Sequence, residues 1–126
     1  MNEPEAAART YQLLITVSAP VRVTVGRLGT FDFPAGDYCY TGSAVRNIEA
    51  RIRRHQSPLK KMHWHIDYLL AVPGVVLREV LRYSSPECAI NQQLVGEIVV
   101  PGFGASDCRA GCVSHLKRVP NRALEP

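Results

Sequence analysis

The chain has 126 residues, 46% of them apolar and 21% charged, with nine glycines and nine prolines. That size and balance describe a single domain able to bury a core, and they exclude collagen-like, coiled-coil and wholly disordered classes. Fifteen Lys and Arg against eleven Asp and Glu leave a formal charge of +4, which permits an anionic partner without naming one. No run approaches the roughly 18 apolar residues of a membrane span. The first ten residues, MNEPEAAART, are acidic where a signal peptide is basic and then apolar. A cytoplasmic protein with no membrane partner is therefore expected.

In chain order, Tyr11 to Val17 is a β-rich run, and Val21 to Val25 alternates apolar and polar residues after the break at Pro20. Phe31 to Phe33 alternates again, and Pro34-Ala35-Gly36-Asp37 is turn chemistry leading into Tyr38-Cys39-Tyr40. The period then changes. Ile48 and Ile52 stand four apart, as do Arg51 and His55, which predicts a helix capped by Asn47 and ended by Ser57-Pro58. Met62, Ile66, Leu69 and Leu70 predict a second helix. Val75 to Tyr83 reads as a strand, and a third helix is predicted from Ser85 as cap and Pro86 as first helical residue to about Val95. Ile98 to Val100 reads as a short strand, PGFGASDCRAGC as a loop and Val113 to Val119 as a final strand. The expected fold class is α+β, a small mixed or antiparallel sheet flanked by about three helices. It forms one domain over residues 10–119, with 1–9 and 120–126 as flexible tails.

The positive charge is concentrated. Arg46, Arg51, Arg53, Arg54, Lys60 and Lys61 stand against Glu49 alone, so residues 46–61 carry +5 and the rest of the chain −1. Such a segment is either a solvated helix face or a surface for phosphate, since Lys and Arg gain affinity by releasing condensed counterions. With His55, these residues other than Arg51 are the candidate nucleic-acid contacts.

The segment Tyr40-Thr41-Gly42 is followed by Arg51 nine residues past the glycine and by His55 four later. YTGSAVRNIEARIRRH resembles the second half of the GIY-YIG nuclease signature. GDYCYTGSA, HWHIDYLL, EC and FGASDC…SHL together resemble a branch of small stand-alone GIY-YIG-like proteins, over residues 10 to 118. The resemblance implies a GIY-YIG-like fold and a metal-dependent endonuclease acting on nucleic acid, with DNA favoured over RNA as the partner. It makes Tyr40 the tyrosine of the second element, Arg51 the family arginine and Tyr11 the counterpart of the first-element tyrosine. It makes Glu87 the helix glutamate that holds Mg²⁺ or Mn²⁺, and it adds His65 as a further catalytic residue. Two departures stand out: Arg9-Thr10-Tyr11 lacks the Gly and Ile of the first element, and 28 residues separate Tyr11 from Tyr40, which reads as an inserted strand pair.

These roles suit the residue types. A tyrosine is a poor base at its usual pKa near 10, but a neighbouring cation or guanidinium favours the phenolate and lets it activate water. The alternative is a core-filling ring. Arg51 offers a permanently charged fork for phosphate. Glu87 also complements a helix N-terminus, and Asn91, one turn on, is placed to orient a metal's water shell. His63 and His65, one residue apart, cannot share a helix face as zinc ligands four apart do.

Cys108, Cys112 and His115 have a spacing compatible with Zn²⁺, with Cys39 or Cys88 open as fourth ligand. A strand starting at Val113 would carry His115 away from that loop, and the resemblance does not depend on zinc, so Mg²⁺ or Mn²⁺ is favoured over it. Two other functional readings remain: a non-catalytic nucleic-acid-binding module of the same fold, and a small zinc-stabilised interaction domain.

Overall fold

The computed structural model describes residues 8–44, 46–57, 61–105, 108 and 110–120. Both flexible-tail assignments fall largely, and Lys60 entirely, outside the described residues. Four strands form an antiparallel sheet in the order β5-β1-β4-β6, where β1 is Thr10–Val17, β4 Gly36–Ser43, β5 Val75–Tyr83 and β6 Leu116–Val119. A separate hairpin pairs β2 (Val21–Val25) with β3 (Gly29–Phe33). The helices are α1 (Ile48–Gln56), α2 (His65–Leu70) and α3 (Glu87–Gln93). The α+β class holds, and the extra length between Tyr11 and Tyr40 is the hairpin β2–β3. Among the described residues no helix is long and apolar enough to cross a membrane.

Alternation along the central strands sorts the core into two layers. Tyr11, Leu13, Ile15, Tyr38 and Tyr40 belong to the larger cluster with Ile52 of α1, Ile66 and Leu69 of α2 and Phe33 of the hairpin. Leu14, Cys39 and Val119 form a smaller cluster on the opposite side. Polar groups on that side are paired: Gln12 Nε2 donates to Thr41 Oγ1 at 3.2 Å, and Tyr83 Oη donates to Gln12 Oε1 at 2.7 Å.

Asn47 caps α1, its side chain accepting from Ala50 N at 3.2 Å, at a left-handed φ of 52° that asparagine tolerates. The other boundaries differ from the sequence pattern for local reasons. Helix α2 starts at His65, leaving Met62 outside it, because Asp67 Oδ2 accepts the backbone N–H groups of His63 and Trp64 at 2.8 Å each and turns that segment into a capping loop. Helix α3 takes Pro86 rather than Ser85 as N-cap and ends at Gln93. Lys117 Nζ closes its C-terminus by donating to the carbonyls of Asn91 and Leu94. Ile98 to Val100 forms no strand, and Glu97 makes an isolated bridge to Arg118 instead. The last strand starts at Leu116, not Val113. Gly102 N bonds to Val113 O and His115 N to Phe103 O, which holds residues 113–115 against the preceding loop.

Asp67 is fully buried and bound by Arg54 through two hydrogen bonds of 2.9 and 3.0 Å. Burial acts to raise its pKa, but the Arg54 guanidinium and the two backbone N–H groups prevail and hold the carboxyl below its ordinary value. Arg54→Met therefore strands a buried carboxylate, with an expected loss of about 3 kcal/mol or more in chemical denaturation. The sign with pH follows. A depressed folded-state pKa stabilises the fold fully above the unfolded value near 4, and that contribution is lost as pH falls through the folded value. Asp67→Asn should flatten this acid limb.

Candidate active site

A cavity of about 420 Å³ opens where β1 begins and β4 ends. Tyr11, Tyr40, Arg51 and Glu87, from four different elements, line it, together with Trp64 and the thiols of Cys88 and Cys108. Strand register explains the first of these. Tyr11 faces Gly42 across β1 and β4, and a Cβ at position 42 would stand 2.7 Å from Tyr11 Cζ and Oη. Glycine is what lets the ring cross the neighbouring strand. Gly104, at a left-handed φ of 67°, does the same for Tyr40, whose Cε1 would lie 2.8 Å from a Cβ there.

The Tyr11 hydroxyl is 2.7 Å from His55 Nε2. Burial pushes the Tyr11 phenol up to about 12, against the pull of Arg51, and raises Tyr40 further still. The resting form is thus a neutral phenol rather than the phenolate suggested by the residue types alone.

Arg51 is fixed before any ligand arrives. Nη1 donates to Ser43 O at 3.0 Å and the guanidinium lies 4.3 Å from the Trp64 ring centroid. Glu87, in the first turn of α3, accepts from Ser43 Oγ at 2.6 Å and places Oε2 2.5 Å from His115 Nδ1. Burial would raise its pKa, but His115 and Ser43 outweigh it and hold the carboxylate ionised below its usual range.

The other candidates are placed differently. His65 is not among the cavity-lining residues: its Nδ1 accepts from Gly104 N at 2.8 Å, so it supports the glycine that receives Tyr40. His55 is buried against Tyr11 and is not a surface phosphate contact. Arg54 is committed to Asp67 and to Lys61 O, at 2.6 Å, rather than displayed to a ligand. Arg46, Arg53 and Lys61 are exposed. Asn91 turns away, donating to Ser114 O at 2.9 Å.

Beside the cavity, ligand atoms of Cys88, Cys108, Cys112 and His115 all lie within 4.8 Å of one another, a group that could hold a metal ion. Cys39 is excluded from it by burial in the smaller core cluster, which drives its thiol up to about 12. Contact with His115 draws the Cys108 thiol down to about 6, while burial and the neighbouring cysteines drive Cys88 up.

The model of the family described as a domain of unknown function, DUF123, matches residues 10–125. The chain belongs to the DUF123 family. No curated protein and no solved structure matches it.

In this DUF123 domain the residues that sequence reasoning missed are His55 as the partner of Tyr11, Ser43 as a ligand of Glu87, and Trp64 as the platform for Arg51. The spacing of Arg51 and His55, four apart on one stripe of α1, places His55 on the same face as Arg51 without naming Tyr11 as its partner. Gly42→Ala is expected to cost about 1–3 kcal/mol by overpacking. Coupling with Tyr11→Val in a double-mutant cycle, read by thermal denaturation, should recover part of that loss. Strict additivity would refute the steric account.

Proposed function

We propose that this DUF123 domain is a GIY-YIG-type phosphodiesterase acting on nucleic acid, DNA in preference to RNA, with Mg²⁺ or Mn²⁺. The observation that carries the reading is the convergence of Tyr11, Tyr40, Arg51 and Glu87 on one cavity, with the Tyr11 hydroxyl hydrogen-bonded to His55. Exposed Arg46, Arg53 and Lys61 supply positive charge for the flanking phosphates.

As the attacking water adds to phosphorus, its proton passes to Tyr11 Oη while Tyr11 gives its own to His55 Nε2. This relay needs no standing phenolate. Arg51, already held by Ser43 and Trp64, stabilises charge on the phosphoryl oxygens. The bond to the leaving oxygen breaks, and that oxygen takes a proton from solvent. Among the described residues lining the cavity Glu87 is the one carboxylate. Its oxygens each keep a lone pair beyond the contacts to Ser43 and His115, so it suits a hard cation that takes most of its ligands from water and substrate. Such an ion, held by Glu87, would neutralise charge on the phosphate.

The engagement of Glu87 by Ser43 and His115 favours a second reading, a nucleic-acid-binding module without turnover. Cleavage assays on single-stranded, duplex and branched DNA and RNA with Mg²⁺ or Mn²⁺ separate the two. The expected result is cleavage, reduced about 10²–10⁴-fold by Tyr11→Phe and about 10²–10³-fold by Arg51→Ala, and lost in Glu87→Ala. Cleavage that persists in both Arg51→Ala and Glu87→Ala would overturn the proposal. Salt-sensitive binding without cleavage, weakened by Arg53→Ala but indifferent to Glu87→Ala, would establish the second reading.

A further inference from the structure

We propose that Cys88, Cys108, Cys112 and His115 form a closed tetrahedral zinc site, whose histidine is oriented from behind by Glu87. Three thiols and an imidazole are a donor set for Zn²⁺; hard ions such as Mg²⁺ and Ca²⁺ take oxygen ligands instead. The spacing is already close to what the ion requires. Zinc–sulfur bonds of about 2.3 Å put two sulfurs about 3.8 Å apart across a tetrahedron. Here Cys88 and Cys108 Sγ are 3.3 Å apart, and Cys88 Sγ is 4.0 Å from His115 Nε2. All three cysteines are free thiols.

The imidazole is set for one role. Its Nδ1 faces two acceptors, Glu87 Oε2 at 2.5 Å and Thr41 O at 3.2 Å, so a metal bound at Nε2 would leave the ring's proton on Nδ1. A carboxylate and a backbone carbonyl behind a histidine fix its tautomer and orientation as they do at metal-ligating histidines. Gln92 Nε2, 3.6 Å from Cys112 Sγ, approaches the third thiol from α3.

The ligands also lie where a staple is needed. Gly96 to His115 contains no helix or strand among its described residues, a long connection for so small a domain. It carries left-handed glycines at 102, 104 and 111 and is anchored through buried Val100 and Phe103. A metal joining Cys88 of α3 to Cys108, Cys112 and His115 would tie its far end to the helix. Gly104, which receives Tyr40, belongs to the same loop.

The inference is independent of the phosphodiesterase reading, because it is tested on the protein without substrate. Full-length wild-type protein purified with no added zinc should contain about one equivalent of zinc per chain. A mercurial thiol reagent should release it, and Cys39→Ser should retain it. Cobalt loaded in its place should give the intense visible bands of a tetrahedral thiolate complex. Glu87→Gln should weaken zinc about 10-fold or more in chelator competition. Folded wild-type protein that is metal-free and binds neither zinc nor cobalt would overturn the proposal, as would a pale octahedral cobalt spectrum or a Cys88–Cys108 disulfide. These readouts need no cysteine variant to fold, and none depends on cleavage.

Discussion

Where β1 meets β4, the Tyr11 ring lies across a neighbouring strand that has no side chain to obstruct it. Gly42 makes that crossing possible, and the ring's direction decides where its hydroxyl ends. From there the hydroxyl reaches His55, one turn beyond Arg51 on α1. Helix, sheet and cavity thus share one close approach. The packing constraint and the chemical arrangement are the same fact, seen from the core and from solvent.

Glu87 plays a comparable part at the other wall of the cavity. Its two oxygens are divided between the end of β4, through Ser43, and the segment before β6, through His115. A single carboxylate in the first turn of a short helix therefore joins the cavity to the cluster of soft ligands. Burial opposes its ionised form, and the surrounding donors overcome that opposition.

Much of the fold was legible because alternation and helical spacing are local signals. The bounds of β2 and β5 and the cap at Asn47 came directly from residue order. The inserted strand pair between Tyr11 and Tyr40 was legible as excess length. What residue order did not disclose depends on tertiary partners. Asp67, held by Arg54, shortens α2, and the bonds Gly102 N–H to Val113 O and His115 N–H to Phe103 O tie residues 113–115 to the preceding loop and delay β6. That delay keeps His115 with the cysteines, where a strand from Val113 would have removed it. The cavity residues were nameable from a motif resemblance, but the partnership of Tyr11 with His55 was not, since it spans 44 positions. His65 shows the converse: a residue singled out in the sequence supports a loop glycine instead of the cavity.

The strand order has a kinetic consequence. In β5-β1-β4-β6 no neighbouring pair is joined by a tight turn, and the hairpin β2–β3, the one local hairpin among the described residues, lies outside the sheet. Closing β1 on β4 is eased because that hairpin folds on itself and shortens the effective span between them. The edge strands β5 and β6 lack any such aid, and β6 can dock only on a β4 that is already in place. His115 precedes β6 directly, so the soft-ligand cluster depends on the pairing of greatest sequence separation in the four-stranded sheet. A metal captured there would act as a latch, holding shut the sheet edge whose partner strand lies farthest away in sequence among the described strands.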